Sequence, residues 1–281
     1  GGLLGVNLLS LLLWVLATLW RVFWLAQGQL FYEVFFRFDT RASGLLAGAL
    51  LLCPAAFAAT VHWEYSGEAG PAKWARLTPE FGQCAGSNQS PVNLTALVEA
   101  ELAPLQFHYL PGGKTLVNNG HTVQVNYAPG SNLQLDGMAF ELKQFHFHAP
   151  SENLIEGRSY PLEGHLVHAN DKGELAVVAV MFEPGQANAA LSQAWQALPA
   201  KAGEMHSLEQ PISAEQLLPA QHDYYRFSGS LTTPPCSEGV RWLVMKEPVQ
   251  VSQAQIDAFK AVMHHPNNRP VQPLNGRLVL Q

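Results

Sequence analysis

The sequence predicts a β-rich α+β fold, a single domain over residues 60–281 that is preceded by an apolar N-terminal segment. Hydrophobic residues make up 48% of the 281 residues and charged residues only 14%, which suits a packed core and argues against disorder. Turn-forming pairs recur throughout residues 60–281, and many of the stretches between them alternate apolar and polar side chains as strands do. Helical periodicity is confined to two short stretches.

The elements of this fold follow in chain order. Residues 122–127 alternate apolar and polar side chains and are predicted to form a half-buried strand. Residues 175–182 are almost entirely apolar and rich in valine, which is typical of a central strand covered on both faces. The helical stretches are residues 187–198 and 252–262, and Ser252 is suited to cap the second helix.

The charge of the chain is modest and unevenly distributed. The formal net charge is −6, which argues against a nucleic-acid partner, since such a partner requires a basic surface. Residues 1–59 contain only five charged side chains, whereas the remainder is a mildly acidic domain. The first fifth of the chain therefore has the composition of membrane-associated sequence.

The N-terminal segment contains two apolar runs. Residues 1–42 begin with 20 uncharged residues, enough to cross a bilayer, and are either a transmembrane anchor or extra sequence upstream of the true start. Residues 43–59 have the features of a signal peptide: a basic flank, a short apolar centre and a small-x-small exit ending at Ala58. A buried core helix is the alternative for this run. We expect the domain to be periplasmic or secreted, and membrane-anchored if the N-terminal segment is retained.

The three cysteines are consistent with an exported domain. Cys53 lies in the apolar run and would leave with a cleaved signal peptide. Cys84 and Cys236 remain, a pair suited to one disulfide in an oxidising compartment. The alternative is two separate buried thiols.

Two strand-like stretches place histidines on a common face. Because strand side chains alternate, His146 and His148 point the same way, about 7 Å apart by backbone rise, with Gln144 beside them. In the second stretch, Glu163 and His165 share a face. If the two stretches pair, the three histidines form a site with one open position, as in catalytic zinc sites. Gln144 and Glu163 could then accept hydrogen bonds from the ring nitrogens that do not face the metal.

Other histidines receive no catalytic role from this pattern. His168 falls on the opposite face from His165 and is expected to be a hydrogen-bonded core residue. His206, His222 and His264 are expected on the surface.

These residues resemble the α-class carbonic anhydrases, specifically the secreted bacterial type, and the resemblance covers about residues 62–277. It implies a large twisted, mostly antiparallel central β-sheet with short peripheral helices, and a zinc ion in a central cleft. It also implies reversible hydration of carbon dioxide to bicarbonate and a proton by attack of zinc-bound hydroxide, followed by histidine-mediated proton transfer to buffer. The motifs that carry it are Phe145-His146-Phe147-His148, Pro150-Ser151-Glu152-Asn153, Glu163-Gly164-His165 and Ser230-Leu231-Thr232-Thr233-Pro234-Pro235-Cys236.

The resemblance assigns a role to each matching position. The zinc ligands are His146, His148 and His165, and their rings are held by Gln144, Glu163 and the backbone carbonyl of Asn267. The catalytic residues are the proton shuttle His121 and the hydrogen-bonded pair Thr232 and Glu152, which orients the hydroxide. The substrate pocket comprises Val167, Val177, Leu231, Thr233 and Trp242, and the water network comprises Tyr65, Asn119 and Gln124. Cys84 and Cys236 match the family disulfide, and cis peptide bonds are expected at Ser90-Pro91 and Pro234-Pro235.

The expected ligands are zinc, carbon dioxide and bicarbonate, with sulfonamide-type and anion inhibitors implied by the resemblance. Three alternative functions stay open. The first is a non-catalytic binding module, although such relatives usually lack a zinc histidine. The second is a zinc hydrolase acting on esters, for which no general acid is evident. The third is a membrane-tethered partner protein, a role compatible with catalysis.

Overall fold

The computed structural model describes residues 61–281, so the predictions for residues 1–42 and 43–59, and for Cys53, lie outside the described residues. One 13-stranded sheet and a separate pair of short strands form the framework of the described part. The strands are β1 Asn93–Leu94, β2 Leu97–Val98, β3 Gln106–His108, β4 Gly113–Asn118, β5 Val123–Tyr127, β6 Asn132–Leu135, β7 Met138–His148, β8 Leu154–Ile155, β9 Leu162–Ala169, β10 Leu175–Pro184, β11 Met205–Ile212, β12 Tyr224–Ser230, β13 Glu238–Met245, β14 Val249–Val251 and β15 Val279–Leu280.

The main path through the large sheet runs β11-β4-β5-β7-β9-β10-β13-β12-β15-β2. Most neighbouring strands are antiparallel, while β10 pairs in parallel with β13 and β14. The predicted fold class, β-rich with a mostly antiparallel sheet and few short helices, is confirmed. The central β10 contains the predicted apolar stretch, and its side chains from Ala176 to Phe182 are at most 2% exposed.

The helices are short and few. They are α1 Trp74–Leu77, α2 Ala189–Trp195 and α3 Gln253–Met263, with 3-10 turns at Gly67–Ala69, Pro79–Ala85 and Ala214–Leu217. Ser252 caps α3 as predicted, because its side chain accepts from the Gln255 N–H and the Gln255 side chain returns to the Ser252 backbone. The helix α2 is shorter than the predicted 187–198: it begins at Ala189, because Asn188 caps its first turn, and it ends at Trp195. None of the helices in residues 61–281 is long and apolar enough to cross a membrane.

The pleat of β7 separates a packed face from a polar one. Phe145 and Phe147 join an apolar cluster that includes Leu191 of α2 and Phe259 of α3. His146 and His148, which alternate with these phenylalanines, point to the opposite face of the sheet. The helices therefore cover one side of β7, and the histidines lie on the other.

A disulfide joins Cys84 to Cys236 with the two Cα atoms 4.9 Å apart, as expected from the paired cysteines. It links the 3-10 turn Pro79–Ala85 to the loop between β12 and β13. The peptide bonds at Ser90-Pro91 and Pro234-Pro235 are cis, as expected, and Ala149-Pro150 is cis as well.

Candidate metal centre

Pairing of β7 with β9 brings the three predicted histidines together. The antiparallel register sets His146 opposite His165 and His148 opposite Glu163. One ring nitrogen from each of His146, His148 and His165 lies within 4.8 Å of the others, a spacing at which the three can hold one metal ion.

Two of the rings are held by the acceptors expected from strand alternation. His146 Nδ1 donates to Gln144 Oε1 at 2.8 Å, and His165 Nε2 donates to Glu163 Oε1 at 2.8 Å. These bonds fix the tautomers, so the free nitrogens are Nε2 of His146 and Nδ1 of His165. A ring nitrogen without a proton is the form that can bind a metal ion.

The third ring is held from a distant part of the chain. His148 Nδ1 donates to the backbone carbonyl of Asn267 at 2.7 Å. The opposite nitrogen, His148 Nε2, is buried without a hydrogen-bond partner among residues 61–281. Because an unsatisfied buried nitrogen costs free energy, this atom fits the position of a metal ligand.

The electrostatics keep the three rings neutral. Burial lowers the pKa of all three histidines, and the pKa values of His146 and His165 fall well below the ordinary value of 6.5. Charge repulsion from neighbouring imidazoles lowers the pKa of His146 and His165 further. Neutral imidazole is the form that binds a metal, so the site is suited to ligation at neutral pH.

Glu163 is fully buried and held by several donors. Its Oε2 accepts from the backbone N–H groups of Glu152 and Asn153 at 2.6 and 2.9 Å, and its Oε1 accepts from Asn153 Nδ2 at 2.7 Å. Burial raises the pKa of Glu163, while the bonds from Asn153 act to lower it. Asn153 thus orients the carboxylate that holds His165.

Glu152 and Thr232 lie together beside the histidines. Glu152 Oε1 accepts from the Arg269 backbone N–H at 2.8 Å, whereas Oε2 has no closed hydrogen bond within the described part of the chain. Burial raises the pKa of the Glu152 carboxyl well above its ordinary range, and the Arg269 N–H and the nearby Thr232 hydroxyl oppose that effect. Oε2 is thus the free acceptor of this carboxyl, and the Thr232 hydroxyl is the nearby side-chain donor that lowers its pKa.

Arg269 is a buried cation that sequence reasoning did not single out. It is 2% exposed, and its guanidinium donates to the backbone carbonyls of Cys84 and Ser90 and to Gln89 Oε1 at 2.7–3.0 Å. Burial lowers the pKa of Arg269 to about 10, so the side chain remains charged at neutral pH.

An apolar row lies on the same face of the sheet as the histidines. Val167 of β9 pairs with Val177 of β10, which pairs in turn with Trp242 of β13. The Trp242 ring stands edge-on to His165 with ring centroids 4.9 Å apart. Leu231 packs against this cluster.

The loop that follows β12 carries Leu231, Thr232 and Thr233. Thr232 is 5% exposed, while Leu231 and Thr233 are half-buried. The loop is closed by hydrogen bonds from Leu231 N to the Ser237 carbonyl and from Cys236 N to the Thr233 carbonyl. Through Leu231, this loop packs against the apolar row.

His121 lies in a turn between β4 and β5. Asn119 Oδ1 accepts from the backbone N–H groups of His121 and Thr122 at 2.9 Å, so this oxygen shapes the turn. Gln124 Nε2 donates to Asn126 Oδ1 at 2.6 Å, and the Tyr65 hydroxyl has no partner in residues 61–281.

A cavity of about 430 Å³ adjoins this turn, and His121 lines it. Burial lowers the pKa of His121, and the positive charges of protonated His62 and His265 lower it further. The other lining residues are His62, Glu64, Tyr65, Ser66, Asn119, Gly120, Ala202 and His265.

The remaining histidines are mostly where the pattern placed them. His168 is buried, with Nε2 2.6 Å from the Tyr109 hydroxyl and Nδ1 3.2 Å from the Ala176 carbonyl. His206 and His264 are exposed. The surface prediction for His222 is wrong, because its ring is half-buried edge-on to Phe107 with centroids 5.0 Å apart.

Comparison with known proteins identifies the family of this chain. The sequence model of the eukaryotic-type carbonic anhydrase family matches residues 69–281. A carbonic anhydrase from Pectobacterium carotovorum is 52% identical over 241 residues, which cover 84% of this chain and 99% of that protein.

Solved structures agree with the sequence comparison. A hyperthermostable carbonic anhydrase identified from an active hydrothermal vent chimney is 52% identical, with a TM-score of 0.76 over 78% of this chain and 99% of that one. The sulfanilamide complex of the α-carbonic anhydrase from Thermovibrio ammonificans is 48% identical, with a TM-score of 0.78 over 79% of this chain and 100% of that one.

Proposed function

This chain belongs to the α-class, eukaryotic-type carbonic anhydrase family and is a carbonate dehydratase, and from that premise we propose that it hydrates carbon dioxide at a zinc ion. The proposed ligands are His146, His148 and His165. The observation that carries the proposal is the convergence of one ring nitrogen from each histidine within 4.8 Å.

The donor set fits a catalytic zinc site better than a closed structural zinc site. Three neutral imidazoles leave an open coordination position, and the buried, unpartnered Nε2 of His148 would gain a ligand bond. Zinc bound there would lower the pKa of water to about 7, carbonic anhydrase being the standard example of this effect, and so supply a nucleophile at neutral pH.

Glu152 and Thr232 would orient the reacting oxygen. An ionised carboxylate can only accept, so the free Oε2 of Glu152 would accept a hydrogen bond from the Thr232 hydroxyl. The Thr232 oxygen could then accept only from a group that carries a proton itself. This chain of donors and acceptors would aim a lone pair of that group toward the apolar row.

Ionisation of Glu152 requires an environment that offsets its burial. Its carboxyl oxygens lie 3.5 Å from His148 Nδ1 and 3.9 Å from His165 Nδ1. A divalent cation held by these rings would favour the charged carboxylate. The proposed role of Glu152 and the proposed metal site therefore support each other.

Carbon dioxide would bind against the apolar row. Val177 and Trp242 are at most 2% exposed, and Val167 and Leu231 complete the wall as half-buried residues. A small apolar substrate gains little from hydrogen bonds, so a pocket without donors on one side suits it. Thr233 would contribute the polar edge of this pocket.

His121 would carry the proton out of the site. Its half-buried ring lines the cavity shared with Tyr65 and Asn119, where a water chain could run past Gln124. Because its pKa lies below 6.5, the ring is neutral at neutral pH and able to accept a proton. Buffer would then remove that proton from the exposed side.

Inhibition by sulfonamides and small anions is part of the proposal. One structurally similar carbonic anhydrase was solved as a complex with sulfanilamide. A sulfonamide nitrogen that keeps one proton could donate to Thr232 while occupying the open position on zinc.

We also propose that the domain is exported. The Cys84–Cys236 disulfide supports an oxidising compartment, and bacterial carbonic anhydrases are among the relatives. Together with the signal-peptide pattern of residues 43–59, this favours the periplasm or secretion. A membrane tether through residues 1–42 is the corresponding proposal for the N-terminal segment.

The test is stopped-flow hydration of carbon dioxide by the zinc-loaded full chain. We expect rapid hydration that His165→Ala loses, because one of three metal ligands is gone. His206→Ala is the matched control, since His206 is exposed and remote from the three ligands in sequence and on the sheet. A folded, zinc-loaded protein without hydration activity would instead indicate a binding module.

A further inference from the structure

Arg269 is buried in an unusual way for a cation. The hydrogen bonds that its guanidinium makes within residues 61–281 all go to neutral oxygens. The carbon of that group also lies 5.4 Å from the centroid of the Trp74 ring. Burial of a charge is costly, so the bonds that offset this cost must restrain the groups that accept them.

These bonds reach the backbone on both sides of the disulfide, directly at Cys84 and through Gln89 at Cys236. Arg269 Nη2 donates to the carbonyl of Cys84 at 3.0 Å, and Arg269 Nη1 donates to Gln89 Oε1 at 2.8 Å. Gln89 Nε2 then donates to the carbonyl of Cys236 at 3.1 Å. The two cysteines are thus joined twice, once by their sulfurs and once through Arg269 and Gln89.

The backbone of the same residue reaches the candidate metal centre. Arg269 N donates to Glu152 Oε1 at 2.8 Å. Two residues earlier, the Asn267 carbonyl holds His148, and Asn267 Oδ1 accepts from Ala149 N at 2.8 Å. The short segment 267–269 therefore holds one proposed ligand and the proposed catalytic carboxylate.

We propose that Arg269 is a positioning residue that couples the Cys84–Cys236 disulfide to the metal centre. The inference rests on the proposed zinc site. The guanidinium fixes segment 267–269 against the disulfide, and that segment in turn fixes the ring of His148. Loss of either the guanidinium fork or the disulfide removes the same restraint.

The planar fork of arginine is essential to this coupling. Arg269 uses two nitrogens in one plane to reach three acceptors that all lie within the segment 84–90. Lysine carries the charge on a single nitrogen and cannot reproduce this geometry. The variant Arg269→Lys therefore keeps the charge and removes the coupling.

The experiment is a double-variant cycle on the full chain, with Arg269→Lys, Cys84→Ala/Cys236→Ala and their combination. Zinc affinity is measured by competition with a chelator on protein shown to be folded. We expect each change to weaken zinc binding about tenfold, and the combination to weaken it by about the same factor, because both remove one restraint. If the combined variant instead loses zinc affinity by the product of the two single-variant factors, the two changes act independently and the proposal is overturned.

Arg277→Lys is the matched control. Arg277 also donates to backbone carbonyls, those of Ser228, Pro273 and Leu274. In the hydrogen bonds of residues 61–281 it contacts neither cysteine nor Glu152. We expect wild-type zinc affinity in this variant. If Arg269→Lys lowers only the melting temperature and leaves zinc affinity unchanged, the role is structural and the proposal is wrong.

A metal-free measurement separates this proposal from the proposed function. In zinc-free protein, Arg269→Lys should let dithiothreitol reduce the Cys84–Cys236 bond at about tenfold lower concentration than in wild type. Equal reduction of the two proteins would overturn the coupling. If the wild type binds zinc and shows the coupling yet hydrates no carbon dioxide, the proposed function fails and this inference stands.

Discussion

The indole of Trp63 lies flat against the imidazole of His121, with ring centroids 3.7 Å apart and an interplanar angle of 10°. Trp63 also stands edge-on to the buried Trp74 at 5.1 Å, so its own orientation is set by the core. The first described residues of the domain therefore fix the direction of the ring proposed to carry protons. Nothing in the sequence pattern around His121 indicates this stack.

The proposed shuttle gives a prediction that depends on buffer. His121→Ala should lower kcat about tenfold or more in dilute buffer, because the ring that accepts the proton is gone. Concentrated imidazole buffer should restore most of the rate. Stopped-flow assays at the two buffer concentrations measure this, with His206→Ala as the exposed control. Equal rates for wild type and His121→Ala in dilute buffer would contradict the role.

The proposed orienting hydroxyl gives a second prediction. Thr232→Val keeps the shape of the side chain and removes its donor and acceptor, so kcat should fall about 100-fold while zinc affinity stays near that of wild type. Thr115→Val, at a half-buried threonine of β4, is the control and should leave both quantities unchanged. If Thr232→Val loses zinc affinity and kcat by similar factors, the residue has a structural role instead.

Strand alternation is the reason why much of the candidate metal centre could be predicted from the sequence. The period of two places His146 and His148 on one face, and the pairing of β7 with β9 adds His165. The same alternation predicts the two side-chain acceptors, Gln144 and Glu163, because each lies two residues from a ligand. Local geometry is sufficient for the two acceptor contacts, whereas the addition of His165 also requires the two strands to pair.

The remaining contacts depend on distant parts of the chain. The bond between His148 and the Asn267 carbonyl joins residues 119 positions apart, and a carbonyl leaves no signature in residue type. Arg269 reaches Gln89 Oε1 across 180 positions, and its other two acceptors are the backbone carbonyls of Ser90 and Cys84. Only the match of these positions to a known family pointed to Asn267, and the role of the Arg269 side chain emerged from the folded structure.

Glu163 supplies a prediction about metal affinity. Its two oxygens accept from three donors besides His165, and Glu163→Gln would replace one oxygen by an amide that donates toward them. We expect zinc binding to weaken about 10- to 100-fold. Chelator competition measures the affinity, and Glu183→Gln, at a partly exposed carboxylate paired with Arg158, is the control. Unchanged affinity would show that Glu163 does not hold the ligand ring.

The disulfide supplies a prediction about stability. It closes a loop of 152 positions, and Cys84→Ala/Cys236→Ala should lower the free energy of unfolding by about 2–5 kcal/mol, since the unfolded chain gains conformational freedom. Urea titration of metal-free protein measures the change. A free energy of unfolding equal to that of the wild type would mean that the bond does not constrain the unfolded state.

The buried pair of His168 and Tyr109 supplies a prediction about pH. The ring of His168 can accept from the Tyr109 hydroxyl and donate to the Ala176 carbonyl only while it is neutral. Burial lowers the pKa of His168 from 6.5 to about 4, so between these values the unfolded chain binds more protons than the folded one. The stability that the neutral ring contributes is therefore complete above pH 6.5 and is lost as the pH falls toward 4.

That difference in pKa corresponds to about 3 kcal/mol of stability at neutral pH. In urea titrations of metal-free protein, the wild type should lose about this much more stability than His168→Gln when the pH is lowered from about 7 to about 4, since the variant has no ring to protonate. His206→Gln, at an exposed histidine, should follow the wild type. Equal losses in wild type and His168→Gln would contradict the prediction, because the other buried histidines titrate alike in both proteins and cancel in the comparison.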